Sequence, residues 1–271
     1  MSRRVFLGGA GALVLGASCS RETTASDRHA AASSARERRT FVLLHGSWHG
    51  GWCWARVAEP LRAQGHRVYT PTLTGLGERS HLLSKDVTLD TWITDLVSVL
   101  EWEDLADVML VGHSFGGVVI TGAADRAPRR IGHLVYLDSL ILRDGESAFS
   151  TFPPDVAAAR RKLAEASPGG LSVAVPPPSV FGVTDPGDLA WLQARCTPHP
   201  LATYENKLTL KNPVGNGKPA TYIAMKPDFA STAAGRTVAK AQREWRYIEL
   251  DGAHDAMVTT PQALTDVLLD I

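Results

Sequence analysis

Eight residues constrain this chain more than any others: Val111-Gly112-His113-Ser114-Phe115-Gly116-Gly117-Val118. They stand between the apolar run Asp107 to Val111, of strand length, and Val118 to Ala124, which reads as the first turns of a packed helix. A G-x-S-x-G between a strand and a helix is the pattern of a nucleophile elbow. In such a turn the serine is held in a strained conformation, and small neighbours are needed because a Cβ there would clash. Gly112 and Gly116 supply the room, and the helix that starts at the serine points free NH groups at whatever negative charge forms beside it. Ser114 is therefore the candidate nucleophile.

The rest of the chain alternates strand and helix patterns, which predicts an α/β fold with a parallel sheet. Strands are expected at 40–44, 67–70, 107–111, 131–137, 221–225 and 245–250. Trp54, Val57, Ala58 and Leu61 fall at helical spacing, as do Leu89, Ile93, Leu96, Val97 and Leu100. Pro261 opens a closing helix capped by Thr259 or Thr260. From about 143 to 211 the periodicity breaks up among repeated prolines, with short helical pieces at 157–166 and 188–195. This stretch is expected to form a lid whose Phe152, Phe181, Trp191 and Leu192 make the pocket apolar.

Ligands gather at the carboxyl ends of parallel strands, so the loop His45-Gly46-Ser47-Trp48-His49 after the first strand is a candidate site loop. An oxyanion needs two NH donors; Phe115, directly after the serine, and Ser47, in the neighbouring loop, are the candidates. Gly46 and His113 are the expected substrate contacts from the body, and Phe181 and Trp191 from the lid. His45 is expected to be a packing residue with no proton-transfer role. Asp138 ends the buried strand 131–137; a carboxylate there is costly unless paired, which makes it a candidate for orienting a histidine.

Acidic and basic residues balance at 28 each, so nothing points to nucleic acid or an anionic surface as partner. The three cysteines, Cys19, Cys53 and Cys196, are too few for a disulfide scaffold and match no zinc spacing; Cys53 and Cys196 read as small buried hydrophobes. Residues 1–39 read separately. Ser2-Arg3-Arg4-Val5-Phe6-Leu7 and the apolar stretch to Ala17 form an export signal too short to remain as a membrane span, and the arginine pair resembles a twin-arginine address. Gly16-Ala17-Ser18-Cys19 offers a lipoprotein cleavage site with Cys19 as a lipid anchor, and Arg21 to Arg39 reads as a disordered tether.

F-V-L-L-H-G-S-W-H-G-G-W at 41–52, G-H-S-F-G-G at 112–117 and G-A-H-D-A-M at 252–257 together resemble the α/β-hydrolase superfamily. More narrowly, the chain resembles the group of plant methylesterases, hydroxynitrile lyases and related bacterial esterases. P-T-L-T-G-L-G-E-R-S-H-L-L at 71–83 and L-V-Y-L-D at 134–138 look most like the bacterial branch. The resemblance implies a mostly parallel sheet over residues 40–271, with the lid inserted after the family's sixth strand. It also implies a serine esterase using Ser114, His254 as the base, no cofactor or metal, and a small ester as substrate. The acid is Asp138 by the bacterial pattern or Asp228 by the plant one, with Asp138 preferred. The lyases carry threonine where this chain has Gly46 and lysine where it has Asp255; an aspartate there would oppose the departure of cyanide, which favours hydrolysis.

Overall fold

A computed structural model describes residues 38–271. The expected export signal, its arginine pair and the Cys19 anchor lie outside the described residues, as does nearly all of the expected tether.

Phe41, Val42, Leu43 and Leu44 are all fully buried, as a strand covered on both faces requires. They form β1 (Thr40–Leu44), which with β2 (Arg67–Tyr69), β3 (Val108–His113), β4 (Ile131–Leu137), β5 (Ala220–Lys226) and β6 (Arg246–Asp251) builds one sheet. The strand order is β2-β1-β3-β4-β5-β6, and every neighbouring pair is parallel. Parallel neighbours need crossovers, and helices supply them: α1 (Ala55–Ala63), α2 (Leu89–Trp102), α3 (Gly116–Arg126), α6 (Ala233–Ala241) and the closing α7 (Pro261–Asp270), with α4 (Pro154–Glu165) and α5 (Pro186–Gln193) in the insertion. Local chemistry sets several starts. Thr88 caps α2 in a box with Thr91, and Asp185 caps α5 through the Asp188 NH. Thr260 stands at the N-cap of α7 but its side chain makes no cap bond; its hydroxyl turns to the Ala256 carbonyl instead.

The strand order reverses between β1 and β3, so the loops leaving their carboxyl ends diverge and open a crevice there. His45-Gly46-Ser47 follows β1, and Ser114 follows β3. The insertion sits over that crevice. It contains α4, α5, short helices at Ala148–Thr151 and Leu201–Glu205, and a two-stranded antiparallel ladder of Ser172–Val173 with His199–Pro200. Trp48 Nε1 donates to the Val173 carbonyl at 3.2 Å, and the Thr197 NH donates to the Trp48 carbonyl at 2.9 Å. The insertion is thus fastened to the loop after β1. Cys53 is buried and Cys196 half-buried, and both are free thiols. No helix among the described residues is long and apolar enough to cross a membrane.

Candidate active site

Ser114 adopts a left-handed backbone, φ 53°, between β3 and α3. The turn is tight enough that a Cβ on Gly112 would lie 2.8 Å from the Gly116 carbonyl, and one on Gly116 would lie 2.7 Å from the His45 carbonyl. Glycine at both places is therefore a steric requirement. Asp138 ends β4 in a similar conformation, φ 37°, and its side chain is fully buried.

The two meet at His254, in the loop after β6. His254 Nε2 lies 3.0 Å from Ser114 Oγ, and His254 Nδ1 lies 2.7 Å from Asp138 Oδ2. Asp228 is elsewhere: its side chain is 70 % exposed and its nearest cation is Arg236, whose Nε lies 3.6 Å away. The lid holds the histidine from the other side, since the His254 NH donates to the Phe181 carbonyl at 3.1 Å. Phe229 stacks on the imidazole with ring centres 4.0 Å apart.

A cavity of about 370 Å³ opens on this line of three residues. Its wall is mainly apolar, with Trp48, Leu140, Phe152, Val173 and Phe181 among the lining side chains, and Arg160 is its one arginine or lysine. Ser47, Phe115 and His113 also line it. The backbone NH groups of Ser47 and Phe115 make no hydrogen bond to protein among the described residues, which leaves two donors beside Ser114. Gly46 is placed behind them; a Cβ on it would lie 2.7 Å from Ser114 Cβ, so it spaces the loop from the serine without facing the cavity. Trp191 is not in the wall. It packs edge-on against Trp52 at 5.0 Å, under the guanidinium groups of Arg56 and Arg195. Spacing alone could not distinguish that outer packing from a pocket position.

His45 is fully buried, with Nδ1 2.8 Å from the Gly46 carbonyl and Nε2 accepting from the Leu73 NH at 3.1 Å. Burial drives its pKa down to about 3, so it is a neutral strut between two loops. His113 is neutral for the same first reason, with the nearby His254 adding to it. His113, His254 and Asp255 could each offer a ligand atom to a metal, all within 4.8 Å of one another. Both His254 nitrogens already face Ser114 and Asp138, however, so the set does not form a free chelating site.

Asp255, the residue after His254, is more than a loop carboxylate. It is fully buried with Oδ2 3.3 Å from His49 Nε2, while His49 Nδ1 lies 2.7 Å from the Ser47 carbonyl. Burial alone would discharge both groups. Against that burial, the charge and hydrogen bond of Asp255, joined by Cys196, raise the His49 pKa well above the ordinary value, and those of His49, joined by His113 and His254, lower that of Asp255. The result is a buried ion pair tying the Ser47 loop to the residue after His254.

Comparison with known proteins agrees with this geometry. A model described as the Alpha/beta hydrolase family matches residues 41–267. The chain is 41 % identical over 239 residues to a carbendazim hydrolyzing esterase of Nocardioides sp. (strain SG-4G), covering 84 % of this chain and 97 % of that one. It is 26 % identical over 250 residues to putative methylesterase 14, chloroplastic, of Arabidopsis thaliana, covering 86 % and 72 %. Among solved structures it is similar to an extracellular alpha/beta-hydrolase from a Paenibacillus species, described as sharing structural and functional homology with tobacco salicylic acid binding protein 2. That match has a TM-score of 0.76 and 28 % identity, over 86 % of this chain and 98 % of the other. On the strength of its parallel sheet, its elbow serine and these matches, the chain belongs to the alpha/beta hydrolase family.

Proposed function

We propose that this chain is a serine esterase acting on small or medium carboxylic esters. The observation that carries the reading is His254, hydrogen-bonded at once to Ser114 Oγ and Asp138 on the floor of an apolar cavity. The esterase relatives support it.

His254 takes the Ser114 proton as Oγ attacks the ester carbonyl, and Asp138 fixes the imidazole tautomer and offsets the charge that forms on the ring. The carbonyl oxygen becomes an oxyanion as the tetrahedral intermediate forms, and the NH groups of Phe115 and Ser47 stabilise it, each worth about 3 to 4 kcal/mol to the transition state. Collapse of the intermediate breaks the bond to the alcohol, which receives the proton from His254. Water, deprotonated by the same histidine, then cleaves the acyl-serine. The apolar wall of the cavity favours an apolar or aromatic acyl group.

The test is hydrolysis of a graded series of p-nitrophenyl esters by the wild type, Ser114→Ala and His254→Ala. Turnover that both substitutions abolish is expected. A wild type inert on every ester, or a Ser114→Ala variant as active as wild type, would sink the reading.

Export is part of the same proposal. The charged start and apolar stretch of residues 2–17 support delivery through a twin-arginine route, and Gly16-Ala17-Ser18-Cys19 supports a lipid anchor at Cys19. Cell fractionation with Arg3 and Arg4 both changed to lysine should leave the protein in the cytoplasm, and Cys19→Ser should release it from the membrane fraction. Unchanged distribution would remove the respective half of the idea.

A further inference from the structure

The triad carboxylate has a partner of its own. Asp138 Oδ2 is taken by His254, while Oδ1 lies 2.9 Å from Arg236 Nη1 and 3.0 Å from the hydroxyl of Thr232. Arg236 comes from α6. Here it is buried, 7 % exposed, because Gly235 lets the helix backbone press against the end of β4; a Cβ on Gly235 would lie 1.9 Å from the Ser139 carbonyl.

The other edges of the guanidinium are also engaged. Nη2 donates to the Phe229 carbonyl at 2.7 Å, and Nε lies 3.6 Å from the exposed Asp228. Phe229 is the residue whose ring stacks on His254. One planar fork therefore fixes the carboxylate that orients the imidazole and the backbone of the ring that packs on it, a geometry that lysine cannot reproduce. Arg236 does not line the cavity.

We propose that Arg236 is a positioning residue of the hydrolytic machinery, holding Asp138 aimed at His254 and offsetting part of the negative charge that His254 faces. The proposal rests on the esterase reading of the site. The ionisable groups around Asp138 and His254 are Tyr222 on β5, His113 on β3, Asp255 with its partner His49 in the loops after β6 and β1, and Arg236 with Asp228 around α6. Of these, Arg236 alone touches Asp138, apart from His254 itself, among the described residues. Removing its charge leaves the imidazolium that forms in the reaction facing a stronger anionic neighbour.

The experiment measures, against pH, both p-nitrophenyl ester hydrolysis and the rate at which a fluorophosphonate labels Ser114. Labelling forms a serine Oγ–P bond, breaks P–F to release fluoride, and passes the serine proton to His254, so it reports the triad without a chosen substrate. For Arg236→Met with wild-type circular dichroism, both rates at pH 7 should fall about tenfold or more. KM should hold within about threefold, because Arg236 itself does not line the cavity. The acidic limb of the rate profile should move up by about half a pH unit or more. In an Asp138→Asn background the same substitution should cost little further, since Arg236 acts through that carboxylate. Wild-type rates and profile in a folded Arg236→Met, or losses that simply multiply in the double variant, would overturn the proposal. Should Arg236→Met not fold, Arg236→Lys decides. It keeps the charge and loses the fork, so its rate should fall with the acidic limb in place, and wild-type rates in it would overturn the orienting role. A wild type that the fluorophosphonate does not label would instead overturn the esterase reading, and the proposal with it.

Discussion

Tyr204, in the insertion, donates its hydroxyl hydrogen to Ser47 Oγ at 2.8 Å, joining the lid to the loop that carries one of the two proposed oxyanion donors. Its ring is buried, stacked on Phe149 at 5.3 Å and edge-on to Phe115 at 5.2 Å. Burial raises the pKa of the phenol, which keeps it a donor across the working range. Tyr204→Phe preserves the ring contacts and removes only the bond. The expected outcome is a stability loss of about 1 kcal/mol in urea denaturation and a kcat several-fold lower, with KM little changed. An unchanged kcat would mean that Ser47 is held without the lid.

The two aspartates named from the sequence should behave very differently. Asp138→Asn leaves His254 next to an amide, which favours the wrong tautomer, and kcat should fall by about 10³ to 10⁴. Asp228→Asn alters a side chain at the surface and should leave kcat within about threefold. Steady-state kinetics on one ester decides between them, and comparable losses would contradict the placement of the acid.

The His49–Asp255 pair predicts both a magnitude and a pH window. Asp255→Asn strands the imidazolium and should cost about 3 kcal/mol in urea denaturation near pH 6. The His49 contribution, with its folded pKa raised, is complete below about pH 6.5 and fades as pH rises through the raised value. The Asp255 contribution, with its folded pKa lowered, is present above about pH 3.8 and fades as pH falls through the lowered value. The gap between wild type and Asp255→Asn should therefore be widest from about pH 4 to 6.5 and narrow in alkali. A gap independent of pH would refute the ion pair.

Three other buried histidines work in the opposite sense. Burial lowers the pKa of His45, His113 and His199, so the native state refuses protons that the unfolded chain accepts below about pH 6.5. Stability should fall as pH drops from 6.5 toward 5, each group contributing up to about 1.4 kcal/mol per pH unit once the unfolded form is fully protonated. Urea midpoints across that range provide the check, and His45→Gln should flatten the slope. A midpoint that stays level would mean that these rings take up protons in place.

Much of this molecule is readable from local pattern. Apolar runs bounded by glycine, proline and polar residues locate the six strands of the main sheet; in β1, β3 and β5 burial on both faces leaves little alternative composition, while the edge strands β2 and β6 keep exposed positions. The elbow at Ser114 is nearly as local: Gly112 is required by contacts inside the turn, and Gly116 by the His45 carbonyl of the neighbouring loop. His254 was legible from its position after the last strand, in the order that the resemblance implies. What sequence could not decide depends on groups brought together from distant parts of the chain. Asp138 is preferred to Asp228 in the sequence only by resemblance and strand position; burial after β4 and 2.7 Å to His254 separate them in space. Asp255 reads as a loop carboxylate until folding removes its water and places His49 beside it. Trp191 reads as a pocket aromatic until tertiary packing turns it onto Trp52. Arg236 carries no signal of its own in the sequence; it is buried against Asp138 because Gly235 lets α6 close on the end of β4. Periodicity records which face of an element is apolar. Which polar group is desolvated, and against which partner, is decided only when the elements pack, because the cost of burying a charge is set by its neighbours in space.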